Sequence, residues 1–263
     1  MRVRVGRHDV YAYTGSRQPQ PAAPNLVFVH GAANDHSVFA LQSRYFAYHD
    51  RNVYALDLPG HGHSDGEALT SVDALADWLI AVLDTLDIAK ASLVGHSLGS
   101  LIALEAAARA SKRIENVALL ATAAPMTVTG ELLAAAAAND HVALEMINSW
   151  SFSAPRQLGG NRWPGVWMTA NAIRLMERMR PNVLHADLSA CNDYANGLIA
   201  AATVRCPALV LLGGRDVMAP PRAARELAKT LADARVVTLA ECGHAMMSEE
   251  PDAVLDALRR FLG

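Results

Sequence analysis

The pentapeptide Gly95-His96-Ser97-Leu98-Gly99 places a serine in the pattern Gly-x-Ser-x-Gly. The apolar residues before it, 91–94, favour a strand, and the Ala- and Leu-rich residues after it, 100–109, favour a helix. A strand that turns this sharply into a helix strains the backbone of the serine, and the flanking glycines avoid Cβ collisions with the neighbouring strand and helix. The turn lifts the serine oxygen beside a helix N-terminus, where negative charge is stabilised. The segment therefore predicts a nucleophile at Ser97.

A serine hydroxyl becomes an effective nucleophile when a base accepts its proton and an acid holds that base. Of the ten histidines, His244 is the best candidate base, because it follows the last predicted strand and should reach the sheet edge that carries Ser97. Asp216 emerges after another predicted strand, and the three residues follow the chain order Ser, Asp, His of one known class of triad. Two other aspartates remain as alternative acids, Asp57 and Asp187.

Acyl transfer also needs donors aimed at the oxygen that becomes negative. His30-Gly31-Ala32 follows the strand predicted at residues 26–29, and Leu98 begins the helix after the serine. The backbone N–H groups of Ala32 and Leu98 are therefore predicted to form the oxyanion hole.

The bulk composition excludes several classes of function. With 263 residues, 52% hydrophobic and 19% charged, the chain can bury a sizeable core. A net charge of −3 predicts no nucleic-acid partner, and no apolar run is long enough for a membrane span. Three widely spaced cysteines argue against a disulfide framework or a zinc site, so that a reducing cytoplasm and no metal are expected.

Strand-like runs alternate with helical stretches, which is typical of a mostly parallel sheet covered on both faces. The predicted strands are residues 3–5, 10–13, 26–29, 52–56, 91–94, 117–120, 208–212 and 235–239. Helices are predicted at residues 37–47, 71–86, 97–110, 221–231 and 251–262.

One long segment, residues 125–203, contains no convincing strand. Helices are predicted there at residues 132–138, 142–148, 166–179 and 184–201. We interpret the segment as a helical cap inserted after the sixth strand, with residues 1–124 and 204–263 forming the core. In open α/β sheets the ligand site lies outside the carboxyl ends of the strands, so such a cap would shape the substrate pocket. Three cap tryptophans are candidate pocket residues: Trp150, Trp163 and Trp167.

Several motifs together make the chain resemble the α/β-hydrolase superfamily over essentially its whole length. They are His30-Gly31, the run Asp57-Leu58-Pro59-Gly60-His61-Gly62-His63-Ser64, the Ser97 pentapeptide, Gly213-Gly214-Arg215-Asp216 and Gly243-His244. The resemblance implies an eight-stranded sheet, a catalytic triad of Ser97, Asp216 and His244, and no cofactor. The chain looks most similar to capped esterases, enol-lactonases and carbon–carbon bond hydrolases, although Phe39 stands where many relatives have Trp and Ser100 where a third glycine is frequent.

The expected function is hydrolysis of a small or medium apolar carboxylic ester, with a small-molecule ester as substrate. A serine nucleophile argues against haloalkane dehalogenase and epoxide hydrolase chemistry, which require a carboxylate nucleophile. Three alternatives stay open: a lactone or carbon–carbon bond hydrolase of an aromatic catabolite, a cofactor-free perhydrolase, and a ligand receptor built on the same fold. The sequence leaves the oligomeric state open.

Overall fold

Eight strands form one sheet in the computed structural model, which describes residues 1–159 and 166–263. In chain order they are β1 (Arg2–Val5), β2 (His8–Tyr13), β3 (Asn25–Val29), β4 (Asn52–Leu56), β5 (Ala91–His96), β6 (Ile114–Leu120), β7 (Ala208–Gly213) and β8 (Ala234–Leu239). Their order across the sheet is β1-β2-β4-β3-β5-β6-β7-β8. Strand β2 runs antiparallel to both its neighbours, and β4, β3, β5, β6, β7 and β8 are mutually parallel. The predicted mostly parallel, eight-stranded α/β-hydrolase sheet is confirmed.

Helices connect the strands on both faces of the sheet. The α-helices of the described residues are α1 (Ala40–Ala47), α2 (Val72–Thr85), α3 (Leu98–Arg109), α4 (Gly130–Ala137), α5 (His141–Ser151), α6 (Ala154–Gln157), α7 (Met168–Met176), α8 (Val183–Asp193), α9 (Gly197–Thr203), α10 (Arg225–Thr230), α11 (Met246–Glu249) and α12 (Pro251–Leu262). Short 3₁₀ turns, His36–Phe39 and Pro221–Ala224, precede α1 and α10. The helices predicted to start at residues 37 and 221 therefore each begin as a 3₁₀ turn.

The central strands are buried on both faces, as their apolar sequences require. Every residue of β4, β5 and β7 is buried. One core cluster lies between the sheet and α2, α3 and α10, and a second lies between the sheet and α1 and α12. Burial on both faces explains why these strands are continuous apolar runs rather than alternating ones. Because these strands are parallel, the carboxyl ends of β3, β5, β7 and β8 lie at one edge of the sheet, where their loops meet.

Between β6 and β7 the described residues form helices α4 to α9 and no strand. One prediction here is wrong in detail, because the single helix expected at residues 184–201 is two helices. Tyr194 breaks it: its backbone is extended, and its buried hydroxyl donates a hydrogen bond to Glu105 Oε2 on α3 at 2.5 Å. The division into a core (1–124 and 204–263) and a cap (125–203) stays a prediction.

Within residues 1–159 and 166–263, no helix is both long and apolar enough to cross a membrane. The three cysteines, Cys191, Cys206 and Cys242, are free thiols.

Candidate active site

Ser97 lies at the junction between β5 and α3 with φ 52° and ψ −120°. A positive φ is costly for a residue with a Cβ, and such strain persists where the surrounding structure fixes it. Here the Ser97 N–H donates to Leu120 O at 2.9 Å, and the Ser97 carbonyl accepts from the Ser100 N–H and hydroxyl at 2.8 and 2.6 Å. The turn is therefore held on both sides, with the side chain of Ser97 half-buried at its apex.

The two glycines of the motif allow this turn to close. A Cβ on Gly95 would lie 2.0 Å from the carbonyl oxygen of Gly99, and a Cβ on Gly99 would lie 2.1 Å from that of Val29. The first distance joins strand β5 to helix α3, and the second joins α3 to the end of β3. Both are backbone contacts that cannot relax by a side-chain rotation, so only glycine fits at either position.

Asp216 and His244 are paired at the ends of β7 and β8. His244 Nδ1 donates to Asp216 Oδ2 at 2.8 Å, while Asp216 Oδ1 accepts the N–H groups of Met218 and Ala219, both at 2.8 Å. Burial alone would raise the pKa of Asp216, but the charge and hydrogen bond of His244, with the two N–H donors, hold that pKa below its ordinary 3.8. An ionised Asp216 accepts the hydrogen bond from Nδ1 and so keeps the proton on that nitrogen, which leaves Nε2 of His244 as the free base.

Two glycines bring these loops together. A Cβ on Gly213 would lie 2.3 Å from the carbonyl oxygen of Gly243, and one on Gly214 would lie 2.4 Å from that of Ala240. The loop after β7 can therefore pack directly against the loop after β8, which carries His244. The sequence Gly213-Gly214-Arg215-Asp216 thus positions the acid through close backbone contact.

His96 forms a hydrogen bond with the backbone of His244. Its Nε2 donates to the carbonyl oxygen of His244 at 2.9 Å, and the two rings lie 4.9 Å apart. Complete burial, reinforced by the neighbouring His244, lowers the pKa of His96 to about 3, so its ring is neutral at pH 7. The sequence did not predict this contact, because the spacing of the two histidines along the chain gives no signal for it.

The predicted oxyanion donors flank the nucleophile. A Cβ on Gly31 would lie 3.0 Å from Ser97 Cβ, so the loop that carries Ala32 packs against the serine. Leu98 is the first residue of α3. Within the two described ranges, neither the Ala32 N–H nor the Leu98 N–H donates to a protein acceptor. Both donors remain available for a ligand oxygen, and their role stays a prediction.

A cavity of about 1050 Å³ opens over this edge of the sheet. Ala32, Ser97 and His244 line its floor. Much of its wall is apolar and comes from the segment between β6 and β7: Met126, Leu132, Ile147, Met168, Met176 and Leu188. The three chemically important positions thus face one apolar chamber, into which an ester with an apolar chain would fit.

The three predicted pocket tryptophans have different outcomes. Trp150 lines the cavity. Trp167 does not: it precedes the first turn of α7 with 73% of its surface exposed, and its neighbours Val166 and Met168 take the expected place in the wall. Trp163 lies outside the described residues.

Neither alternative acid contacts His244. Asp57 accepts hydrogen bonds from the N–H groups of His36 and His63 and from the His36 ring, and so ties together two loops. Asp187 accepts hydrogen bonds from His61 Nε2 and from the Ala33 N–H. The geometry therefore favours Asp216 as the partner of the base.

Among the described residues, one group of side chains has donor atoms close enough to share a metal ion: Asp35, His36 and Asp57. Hydrogen bonds already engage it. His36 Nδ1 lies 2.7 Å from Asp57 Oδ1, and Asp35 Oδ1 accepts both the N–H and the hydroxyl of Ser37. These contacts give the three side chains a role in shaping the loop, which explains the cluster without a metal ion.

The family model described as "Alpha/beta hydrolase family" matches residues 26–257. The chain therefore belongs to the alpha/beta hydrolase family.

Individual relatives cover most of the chain. A pimeloyl-[acyl-carrier protein] methyl ester esterase of Chromobacterium violaceum is 33% identical over 242 residues, which are 88% of this chain and 91% of the relative. A dihydrolipoyllysine-residue acetyltransferase component of an acetoin cleaving system from Pseudomonas putida is 31% identical over 90% of this chain, but the chain spans only 63% of that protein. Among solved structures, the enol-lactonase from Burkholderia xenovorans has a TM-score of 0.87 at 26% identity and covers 100% of this chain and 99% of its own.

The glycine contacts predict a sharp difference between two alanine substitutions. Gly99→Ala should lower the free energy of unfolding by about 1–3 kcal/mol or more, because backbone must move to admit the Cβ. Gly130→Ala, at the open first turn of α4, should instead raise it by about 0.5–1 kcal/mol. Urea unfolding measures both values, and equal effects of the two substitutions would contradict the packing described for the turn.

Two buried neutral histidines predict an acid-dependent loss of stability. Burial lowers the pKa of His30 to about 4 and that of His96 to about 3. Below pH 6.5 the unfolded chain binds a proton at each ring and the folded chain does not, so each ring lowers the free energy of unfolding by up to about 1.4 kcal/mol for each pH unit of acidification. This loss of stability extends from pH 6.5 down toward pH 4.

His30→Asn and His96→Asn should each reduce the dependence of the free energy of unfolding on pH by about that amount. Urea unfolding at pH 6.5, 5.5 and 4.5 measures this dependence. The same dependence in wild type and in both variants would contradict the assignment of two neutral, buried histidines.

Proposed function

We propose that the protein hydrolyses small or medium apolar carboxylic esters through an acyl-enzyme on Ser97. The observation that carries this proposal is the hydrogen bond from His244 to Asp216 at 2.8 Å. His244 and Ser97 both line the same largely apolar cavity. A base that an ionised carboxylate orients, beside a serine hydroxyl that lines the cavity at the apex of a strained turn, is the arrangement that nucleophilic acyl transfer requires.

The proposed reaction has two halves. In the first, Ser97 Oγ attacks the ester carbonyl while His244 Nε2 takes the hydroxyl proton, and the N–H groups of Ala32 and Leu98 donate to the oxygen that becomes negative. The carbon–oxygen bond to the alcohol then breaks, and His244 returns the proton to the leaving alcohol. In the second half, water gives a proton to His244 Nε2 and attacks the acyl carbon. The bond from that carbon to Ser97 Oγ then breaks, the acid is released, and His244 returns the proton to Oγ. Asp216 stabilises the imidazolium in both halves.

The chemistry of the cavity supports an apolar substrate. Most of the wall from residues 126–188 is apolar and rich in Met, Leu and Ile, with polar side chains such as Asn148 and Asn171 between them. The relative from Chromobacterium violaceum is described as a methyl ester esterase, which is consistent with ester cleavage on this scaffold. From the cysteine content we also propose a cytoplasmic location. The proposed function does not depend on this location.

Lactone hydrolysis is the second candidate. It is favoured by the likeness to an enol-lactonase across the full length of both chains. Arg174 and Arg178 also line the cavity, and an arginine there could pair with a carboxylate on the substrate. The Asp216–His244 pair argues against a purely ligand-binding role, since a receptor needs no oriented base.

Removing members of the triad should abolish turnover without unfolding the chain. Ser97→Ala should lower kcat by about 10⁶-fold, and Asp216→Asn by roughly 10³- to 10⁴-fold, because the amide misdirects the His244 tautomer. Asp252→Asn is the matched control: Asp252 also lines the cavity, but it forms no hydrogen bond with His244. Steady-state hydrolysis of p-nitrophenyl butyrate measures all three variants. A loss of less than tenfold in Ser97→Ala, or equal losses in the two Asp variants, would exclude the proposed triad.

The position of Trp150 predicts a change of substrate selectivity. Trp150→Ala should enlarge the cavity and shift the preferred acyl length upward, with about fourfold in kcat/KM for each added methylene that the new space buries. Trp167→Ala removes the same side chain from the exposed surface and should leave the profile unchanged.

A panel of two-, four- and eight-carbon p-nitrophenyl esters, run beside lactones of matched size, measures this shift. Identical profiles in wild type and Trp150→Ala would mean that Trp150 does not contact the acyl chain. A kcat/KM for lactones well above that for every ester would replace the ester proposal with the lactone one.

A further inference from the structure

The buried carboxylate of Asp187 forms no hydrogen bond with His244, but it holds the loop that follows β3. Asp187 belongs to α8 and is only 1% exposed. Its Oδ2 accepts the backbone N–H of Ala33 at 3.1 Å and His61 Nε2 at 2.8 Å. Ala33 directly follows Ala32, whose N–H is one of the two proposed oxyanion donors. One carboxylate from the helical segment therefore holds the loop on which that donor sits.

The hydrogen bonds of His61 make this contact a buried ion pair. His61 Nδ1 faces the carbonyl oxygen of Pro59 at 3.0 Å, and Nε2 faces Asp187 Oδ2 at 2.8 Å, so both ring nitrogens face oxygen atoms, which favours the doubly protonated ring. Burial alone would lower the pKa of His61, but the charge and the hydrogen bond of Asp187 raise it above 6.5. A charged His61 fixes Asp187 by a short, charge-assisted hydrogen bond.

The loop needs such a support because its backbone is strained. Ala33 has φ 63°, in the left-handed region that a residue with a Cβ rarely adopts, and it is 1% exposed. A strained residue of this kind relaxes unless its surroundings hold it. The hydrogen bond from the Ala33 N–H to Asp187 holds the Ala32–Ala33 peptide group, which adjoins the peptide group that carries the Ala32 N–H.

We propose that Asp187 is a positioning residue, which fixes the loop at Ala33 and so aims the Ala32 N–H at the carbonyl oxygen that becomes negative in the reaction. This inference rests on the proposed function. Asp187 touches no substrate atom in this account: it acts through Ala33, and it makes the oxyanion hole depend on the docking of α8. Loss of an entire oxyanion donor typically lowers kcat by about 10²- to 10³-fold, so a misaimed donor should cost about 10- to 100-fold.

Substitutions of Asp187 and one control variant test the proposal. Asp187→Leu removes the acceptor at similar size, and Asp187→Ala replaces it if the leucine variant does not fold. Asp187→Asn keeps an oxygen for the Ala33 N–H. Tyr194→Phe is the control for general loosening, because it removes a different buried hydrogen bond between the end of the same helix and the core, at Glu105.

The measurements distinguish a misdirected oxyanion donor from weaker binding of the substrate. Asp187→Leu should lower kcat for p-nitrophenyl butyrate by about 10- to 100-fold with KM within about threefold, and should weaken inhibition by butylboronic acid, which forms a tetrahedral adduct, by a similar factor. Inhibition by pentanamide, a ground-state competitor, should change by less than about threefold. Asp187→Asn should recover most of kcat, and Tyr194→Phe should stay within about threefold of wild type.

Three results would overturn the inference: an unchanged kcat in Asp187→Leu, an equal loss in Tyr194→Phe, or equal weakening of the boronic acid and of pentanamide. Failure of the proposed function looks different, since then wild type itself neither turns over esters nor binds the boronic acid. In that case hydrogen exchange of the backbone amides in residues 31–36 decides the positioning role. Faster exchange in Asp187→Leu than in Tyr194→Phe supports it, and equal exchange overturns it.

Discussion

The close backbone contact between β5, α3 and the end of β3 determines where every other group of the site must lie. Because Gly95 and Gly99 have no Cβ, the helix starts directly against two strand ends, and Ser97 is left at φ 52° with its side chain at the apex of the turn. The first N–H of α3 and the loop after β3 then flank the serine without further adjustment. A side chain at either glycine would separate these elements by more than an ångström, and the nucleophile would lose its neighbours.

Close backbone contacts at glycines also position the acid and the base. Gly213 and Gly214 bring the loop after β7 against the loop after β8, which pairs Asp216 with His244, and His96 ties the backbone of His244 to the turn of the nucleophile. Close glycine contacts thus position the groups, while buried hydrogen bonds hold them. The helical segment between β6 and β7 supplies the apolar wall of the cavity and, through Asp187, a hydrogen bond to the loop of the oxyanion donor.

The sequence predicted the parts of this arrangement that depend on local pattern. Apolar runs bounded by turn residues located all eight strands, and the glycine motifs marked the sheet edge at which Ser97, Asp216 and His244 lie. Contacts between distant residues could not be predicted in this way: His96 meets His244 across 148 positions, and Asp187 meets Ala33 across 154. The tryptophans show the same limit of prediction from sequence. Composition made Trp150 and Trp167 equal candidates for the pocket, but Trp167 lies just before α7 with its side chain exposed to solvent.

The central claim is that Ser97 carries the acyl group during turnover, and trapping that intermediate tests it most directly. The enzyme is mixed with p-nitrophenyl butyrate, quenched in acid within the first turnovers, and analysed by intact and peptide mass spectrometry. If Ser97 carries the acyl group, we expect one butyryl group per chain on the peptide that contains Ser97, and a longer-lived adduct in Asp216→Asn, where hydrolysis of the acyl-enzyme is also slowed. A butyryl group on any other residue, or steady turnover by Ser97→Ala at a rate near that of wild type, would contradict it.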